Sequence, residues 1–232
     1  MSPSNLEILA YETTPLGILC LRRRQLLSDP GTVVTEVTLN HEFLMSSHHT
    51  ASEQALASVA LDMFAGDTVQ ALVGGLGLGY TASAVLADER VAQVEVIELL
   101  PQVVDWLKQG LFPLADELRN DKRFLTTQDD VYARLLQEPT RQFDLIIIDV
   151  DHSPDDRLAT TENPFYTEDG LRHARKHLSK DGILGVWSYA RSSPFADALH
   201  AVFENVRVEP VTFDNEHSNE TVTDWLFFAR NS

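Results

Sequence analysis

The stretch from Val69 to Tyr80 constrains the fold of this chain more than any other: an apolar run, Val69 to Val73, opens into Gly74-Gly75-Leu76-Gly77-Leu78-Gly79. A helical pattern follows, and about 20 residues on a second apolar run, Val94-Glu95-Val96-Ile97, ends in Glu98. Strand, glycine turn, helix and strand ending in a carboxylate make a nucleotide-binding βαβ unit. Glycine takes positive φ without strain and lets backbone approach a ligand closely. The helix start offers free N–H groups to that ligand, and a carboxylate at the second strand end suits the paired hydroxyls of a ribose. A dinucleotide fingerprint needs G-x-G-x-x-G, yet Tyr80 occupies its third glycine position. The pattern present is G-x-G-x-G over Gly75, Gly77 and Gly79, the looser form of S-adenosylmethionine-type sites.

The rest of the chain extends this unit. Apolar runs at 69–74, 91–98, 124–127, 143–149 and 183–189 read as strands. They alternate with helical patterns at 79–87, 101–118, 130–137, 165–179 and 193–204. Alternation of this kind implies a parallel sheet with right-handed crossovers. The stretches 206–213 and 221–229 then read as two strands with no helix between them. The expected fold class is α/β: a class I methyltransferase-like (Rossmann-like) parallel sheet ending in an antiparallel hairpin. Residues 1–48 read as a small β-rich appendage, with Thr14-Pro15-Leu16-Gly17 as a turn, and 49–232 as the catalytic domain. Thr50-Ala51-Ser52-Glu53 has the spacing of a capping box ahead of a helix running to about Phe64.

Composition excludes several classes. The chain of 232 residues carries 18 basic and 35 acidic side chains, a net charge of −17, which repels nucleic acid. Its basic cluster, Arg22-Arg23-Arg24, is short and solitary. No apolar run approaches a membrane span, and Met1 to Ala10 lacks the pattern of a signal peptide. One cysteine, Cys20, rules out an internal disulfide; a cytoplasmic location and a buried strand position for Cys20 are expected. His41, His48 and His49 lack partners at metal-ligand spacing, so no metal is expected. A nucleophile elbow is absent.

Ligands of an open α/β sheet bind at the carboxyl ends of its strands. Those ends supply Gly74 to Gly79, Glu98, Gln128-Asp129-Asp130, Asp149-Val150-Asp151-His152 and Ser188-Tyr189. Asp149 ends a run apolar enough to be buried on both faces, so it is either a cap or a site residue. Asp129 and Asp130 leave two readings open. Either Asp129 merely caps the helix at 130–137, or Asp130 caps it and leaves Asp129 free for an adenine amino group.

The order of these pieces resembles the spermidine synthase (polyamine aminopropyltransferase) family over most of the chain. Gly74-Gly75-Leu76-Gly77-Leu78-Gly79 falls on that family's Gly-Gly-Gly-Asp-Gly-Gly turn, Glu98 on its second-strand acid, and Gln128-Asp129-Asp130 on its Gly-Asp-Gly. Asp149-Val150-Asp151-His152-Ser153-Pro154 falls on its Asp-Ser-Ser-Asp-Pro, and Pro164-Phe165-Tyr166 on its Phe-Tyr segment. Val73 is apolar, as in those synthases, where ordinary methyltransferases often carry an acid. Two departures stand out: Gly77 replaces the turn carboxylate that holds the donor's aminopropyl ammonium, and His152 occupies the second acidic position.

The resemblance implies polyamine biosynthesis: transfer of an aminopropyl group from decarboxylated S-adenosylmethionine, as co-substrate, to a small cationic amine such as putrescine. Asp149 is then the base, assisted by Asp151 or His152. Glu98 holds the ribose, Asp129 and Asp130 flank the adenine, and Gly74, Gly75, Gly77 and Gly79 hold the backbone side of the donor. Asp155 and Asp156 fall on a loop over the site. A homodimer accords with this reading. The missing turn carboxylate keeps two alternatives open, a methyltransferase using intact S-adenosylmethionine on a small molecule and a non-catalytic relative binding a nucleoside or polyamine.

Overall fold

The structure, a computed structural model, describes residues 5–26, 29, 31–150, 153–155, 157–158, 161–215 and 220–232. It opens with a four-stranded antiparallel sheet in the order β1 (Leu6–Thr14), β2 (Gly17–Gln25), β3 (Val33–Leu39) and β4 (Glu42–Ser46). Helix α1 (Ala51–Met63) leads into the main sheet. The expected α/β class is observed: β5 (Val69–Gly74), α2 (Tyr80–Leu86), β6 (Val91–Glu98), α3 (Pro101–Gln109), α4 (Ala115–Asn120), β7 (Phe124–Gln128), α5 (Val131–Leu135) and β8 (Phe143–Ile148) follow in turn. A two-stranded ribbon, β9 (Arg157–Leu158) and β10 (Thr161–Glu162), and a 3₁₀ turn at Pro164–Tyr166 precede α6 (Glu168–Lys176), β11 (Leu178–Ser188), α7 (Ser193–Val202), β12 (Asn205–Asn215) and β13 (Glu220–Arg230).

The seven-stranded sheet has the order β12-β13-β11-β8-β5-β6-β7, with β13 antiparallel to both of its neighbours. From β5 the strand order runs outward through β6 to β7 on one side and resumes with β8 on the other, all in parallel, and the crevice between the ends of β5 and β8 is the ligand position of such sheets. Side-chain alternation splits the core in two. Ala71, Val73, Leu145 and Ile147 face α1, α2 and α3, while Leu72, Ile146 and Ile148 face α5, α6 and α7. Both faces of β8 are buried, as its unbroken apolar run requires. Leu19, Leu21 and Val37 of the N-terminal sheet join the first cluster, and Cys20 is a buried residue of β2.

Two expectations are corrected. The helix expected over 101–118 is broken, because Gly110 takes a left-handed φ of 75° and ends α3, its N–H meeting the Leu107 carbonyl at 3.0 Å. The capping box at the start of α1 does not form. Thr50 makes no side-chain cap bond, and its hydroxyl instead accepts from Gln54 Nε2 at 2.9 Å. Glu53, released from that role, accepts from Ser52 Oγ at 3.0 Å and faces a cavity.

Candidate active site

The glycine turn is shaped by the crowding of two strand ends. Gly75 has φ 97°, and a Cβ there would lie 2.0 Å from the Asp149 carbonyl oxygen, so no other residue fits. The Asp149 N–H donates to the Gly74 carbonyl at 2.8 Å, and the Gly75 N–H to the Ile97 carbonyl at 2.8 Å. Three strand ends are thereby locked around one point. Gly79 precedes α2, and Gly77, at φ 51°, faces β4: a Cβ there would lie 3.1 Å from Met45 Sδ. Any side chain at position 77 would press on that thioether. Where the resembling family carries a carboxylate, this chain has a glycine covered by a methionine.

Glu98 stands at the end of β6, buried, with both oxygens engaged. Oε2 accepts from the Leu76 N–H at 2.9 Å, and Oε1 from the Leu100 N–H at 2.8 Å. Burial raises its pKa above the usual carboxylate range, and the surrounding N–H groups oppose that rise. One side chain thus fixes the glycine turn to the second strand. The backbone N–H groups of Leu99 and Gly77 also bear on this carboxylate.

Asp129 is exposed beyond β7, its Oδ1 accepting from the Asp130 N–H at 2.9 Å. Asp130 takes the capping role, accepting from the N–H groups of Tyr132 at 2.9 Å and Ala133 at 3.2 Å. Of the two roles the sequence left open, capping therefore falls to Asp130. Asp151, His152 and Asp156 lie outside the described residues. Asp155 accepts from Ser192 Oγ at 2.7 Å.

A cavity of about 880 Å³ lies between the N-terminal sheet and the ends of β5, β8 and β11. Leu76 to Tyr80 and Asp149 line one wall, with Glu53 from α1 and Asp224 from β13 beside them. Neither Glu53 nor Asp224 stood out in the sequence, since the first matched a capping signature and the second lay in a strand of the closing hairpin. Trp187 and Tyr80 complete this end of the cavity. Among the described residues, no group of three or more His, Cys, Asp or Glu side chains is arranged to hold a metal ion.

Burial raises all three carboxylates, and neighbouring charge adds to the rise at Asp149 and Glu53. Burial is the main cause that pushes Asp149 up to about 6, and the charge of Asp224 adds to it. The hydrogen bond donated by Thr81 Oγ1 works the other way. Glu53 is pushed up to about 7, by burial first and then by the charges of Asp149 and Asp224. Asp224 is raised by its own burial, against hydrogen bonds from Ser52 and Trp187. A site of this kind holds protons at mildly acidic pH and attracts a cation that would replace them.

The sign of the linked stability follows. Groups with a raised folded pKa bind more protons in the folded state than in the unfolded state. Their contribution is complete below their ordinary values, near pH 4, and is lost as pH rises through about 6 to 7. Glu53→Gln is therefore expected to lose less melting temperature between pH 5 and pH 8 than the unsubstituted protein. Scanning calorimetry at both pH values checks this, and a steeper loss in the variant would contradict the coupling.

No family model matches the sequence, and no curated protein matches it. Solved structures do match. The chain is similar to the spermidine synthase of Thermotoga maritima, at TM-score 0.77 and 17% identity over 97% of this chain and 73% of that one. It is also similar to a spermidine synthase in complex with the transition state analogue AdoDATO, at TM-score 0.75 and 16% identity over 97% and 72%. A probable spermidine synthase from Corynebacterium glutamicum ATCC 13032 matches at TM-score 0.65 and 13% identity over 97% and 80%. At these identities the likeness establishes the fold: a methyltransferase-like sheet carrying an N-terminal antiparallel sheet, as in the spermidine synthases.

Proposed function

We propose that this chain is a spermidine synthase-like transferase that binds an adenosyl sulfonium and passes an aminopropyl group to a small cationic amine such as putrescine. The observation that carries the reading is the junction of two features in one cavity, a glycine turn pinned by Glu98 and a cluster of raised carboxylates beside it. The turn and Glu98 suit an adenosyl group, and the carboxylates suit an ammonium. Asp129, exposed at the end of β7, is left for the adenine amino group.

The chemistry asks little else of the protein. A primary ammonium must lose a proton before its nitrogen can attack. Asp149, with a pKa near 6, is ionised at neutral pH and able to receive that proton. The nitrogen lone pair then forms the new C–N bond as the C–S bond breaks, and the sulfonium leaves as the neutral thioether methylthioadenosine. Holding the amine in line with that bond is the larger part of the work.

One observation favours a second reading. With Gly77 under Met45, the donor's aminopropyl ammonium has no partner in the glycine turn, so methyl transfer from intact S-adenosylmethionine becomes a competing use of the same fold. Ligand-induced melting shifts and product analysis with both donors, with and without putrescine, decide between them. Methylthioadenosine at ~100 times its dissociation constant should add about 2.7 kcal/mol of stability. Spermidine and methylthioadenosine as products support the proposal, whereas S-adenosylhomocysteine supports methyl transfer. Binding without any product indicates a non-catalytic relative. A shift with NAD and none with adenosyl compounds at millimolar concentration would defeat the cofactor assignment.

A further inference from the structure

The cavity has a second pole, opposite in charge to the first. Strand alternation splits the cluster Arg22-Arg23-Arg24: Arg22 and Arg24 face the cavity, while Arg23 turns away and donates to the Leu111 carbonyl at 3.2 Å. Across the ladder, Glu36 of β3 is 2% exposed and accepts from both cavity-facing arginines. Arg22 Nε lies 3.0 Å from Oε2 and Arg24 Nε 2.7 Å from Oε1. Among the described residues Glu36 is the partner of Arg22, which engages it through Nε and one terminal nitrogen and keeps the other terminal nitrogen in reserve. The side chain of Arg22 is 34% exposed, so it is reachable from the cavity.

This arrangement is more than Glu36 needs. One bidentate guanidinium satisfies a buried carboxylate. A second one brings a further cationic group to a wall where Leu26, Phe43, Leu44 and Met45 stand beside Ser46 and His48, in a protein whose net charge is −17. A planar guanidinium fork with unused donors matches a carboxylate on a ligand.

We propose that Arg22, held in place by Glu36 and supported by Arg24, binds a carboxylate carried by one of the two substrates. The cavity would then recognise a carboxylate on one substrate at one pole and an amine at the other. The inference rests on the proposed adenosyl-sulfonium and amine site and sharpens it. Two sources share the chemistry: the amino-acid end of intact S-adenosylmethionine, or an acceptor that is an amino acid. Gly77 is consistent with either, because the turn has given up its own ammonium partner.

The test compares ligands in pairs that differ by one carboxylate, using calorimetry on the full chain. The donor pair is intact against decarboxylated S-adenosylmethionine. The acceptor pair is ornithine against putrescine, titrated into protein saturated with methylthioadenosine. The unsubstituted protein should prefer the carboxylate-bearing member of at least one pair by tenfold or more, and that pair identifies the source. Arg22→Gln should weaken that member at least tenfold while leaving its partner and methylthioadenosine within about twofold. Arg22→Lys, which keeps the charge and loses the fork, should fall between, and it carries the same test if Arg22→Gln does not fold. No carboxylate preference in either pair overturns the proposal, as does an equal loss for both members of a pair in the variants. Failure of methylthioadenosine to bind the unsubstituted protein would instead count against the adenosyl reading, and the ornithine and putrescine titrations, then run without it, still decide the role of Arg22.

Discussion

Replacing Asp149 by Asn is expected to lower kcat by roughly 10² to 10⁴-fold, the range that a positioned acid or base supplies. Methylthioadenosine binding should stay within about twofold. The backbone at this position is held by the Asp149 N–H to the Gly74 carbonyl, which the substitution leaves intact. The Thr81 hydroxyl can donate to an amide oxygen as it does to the carboxylate. The amide cannot take a proton, so the loss should fall on turnover rather than on the fold. A second readout separates this role from a merely structural one. In the unsubstituted protein the rate should rise with pH through about 6, as the carboxylate ionises, and this limb should vanish in the variant. Removing one charge also relieves Glu53, whose pKa should fall back toward the ordinary range. Full activity in Asp149→Asn would eliminate Asp149 as the base. A variant that fails to fold would point to a structural cap at a buried strand end.

The strands of the main sheet are legible in the sequence because parallel strands buried on both faces leave nearly continuous apolar runs. The expected limits of β5 and β6 coincide with those observed, and the residues at their ends, Gly74 and Glu98, are brought to one place. The other half of the site is illegible for a physical reason. Glu53 reaches the cavity because α1 packs against β11 and β13, a long-range contact that leaves no local trace. Thr50-x-x-Glu53 satisfies the spacing of a capping box, yet spacing cannot show that burial beside Asp149 gives the carboxylate another environment. Asp224 sits in β13, where an isolated acid in a strand reads as a solvated face; insertion of β13 between β11 and β12 is what carries it inward. Arg22-Arg23-Arg24 reads as a surface patch until strand alternation divides it between two faces. Local pattern therefore placed the glycine turn and Glu98, and tertiary packing placed the charges around them.

Glu98→Ala is expected to lower the melting temperature and to remove most of the stabilisation by methylthioadenosine. Two backbone N–H groups, those of Leu76 and Leu100, donate to the carboxylate at 2.9 and 2.8 Å, and truncation leaves both without it. A buried donor left unpaired costs about 1–3 kcal/mol, so the pair amounts to about 2–6 kcal/mol. In a chain of this length that corresponds to a fall of roughly 5–20 °C. Relief of the buried charge offsets part of the loss, since burial already raises the pKa of Glu98. Glu98→Gln tests that balance: its carbonyl can accept from one N–H, while its amide group meets the other donor head-on, so it should be less damaging than Ala yet short of full stability. Ligand binding must be measured well below the melting temperature of each variant, where the protein is folded. A variant that melts early but still binds methylthioadenosine with undiminished affinity would make Glu98 a clamp between the glycine turn and β6 and nothing more. Loss of affinity in both variants, in protein shown to be folded, would place the ribose hydroxyls on the same carboxylate that fixes the turn.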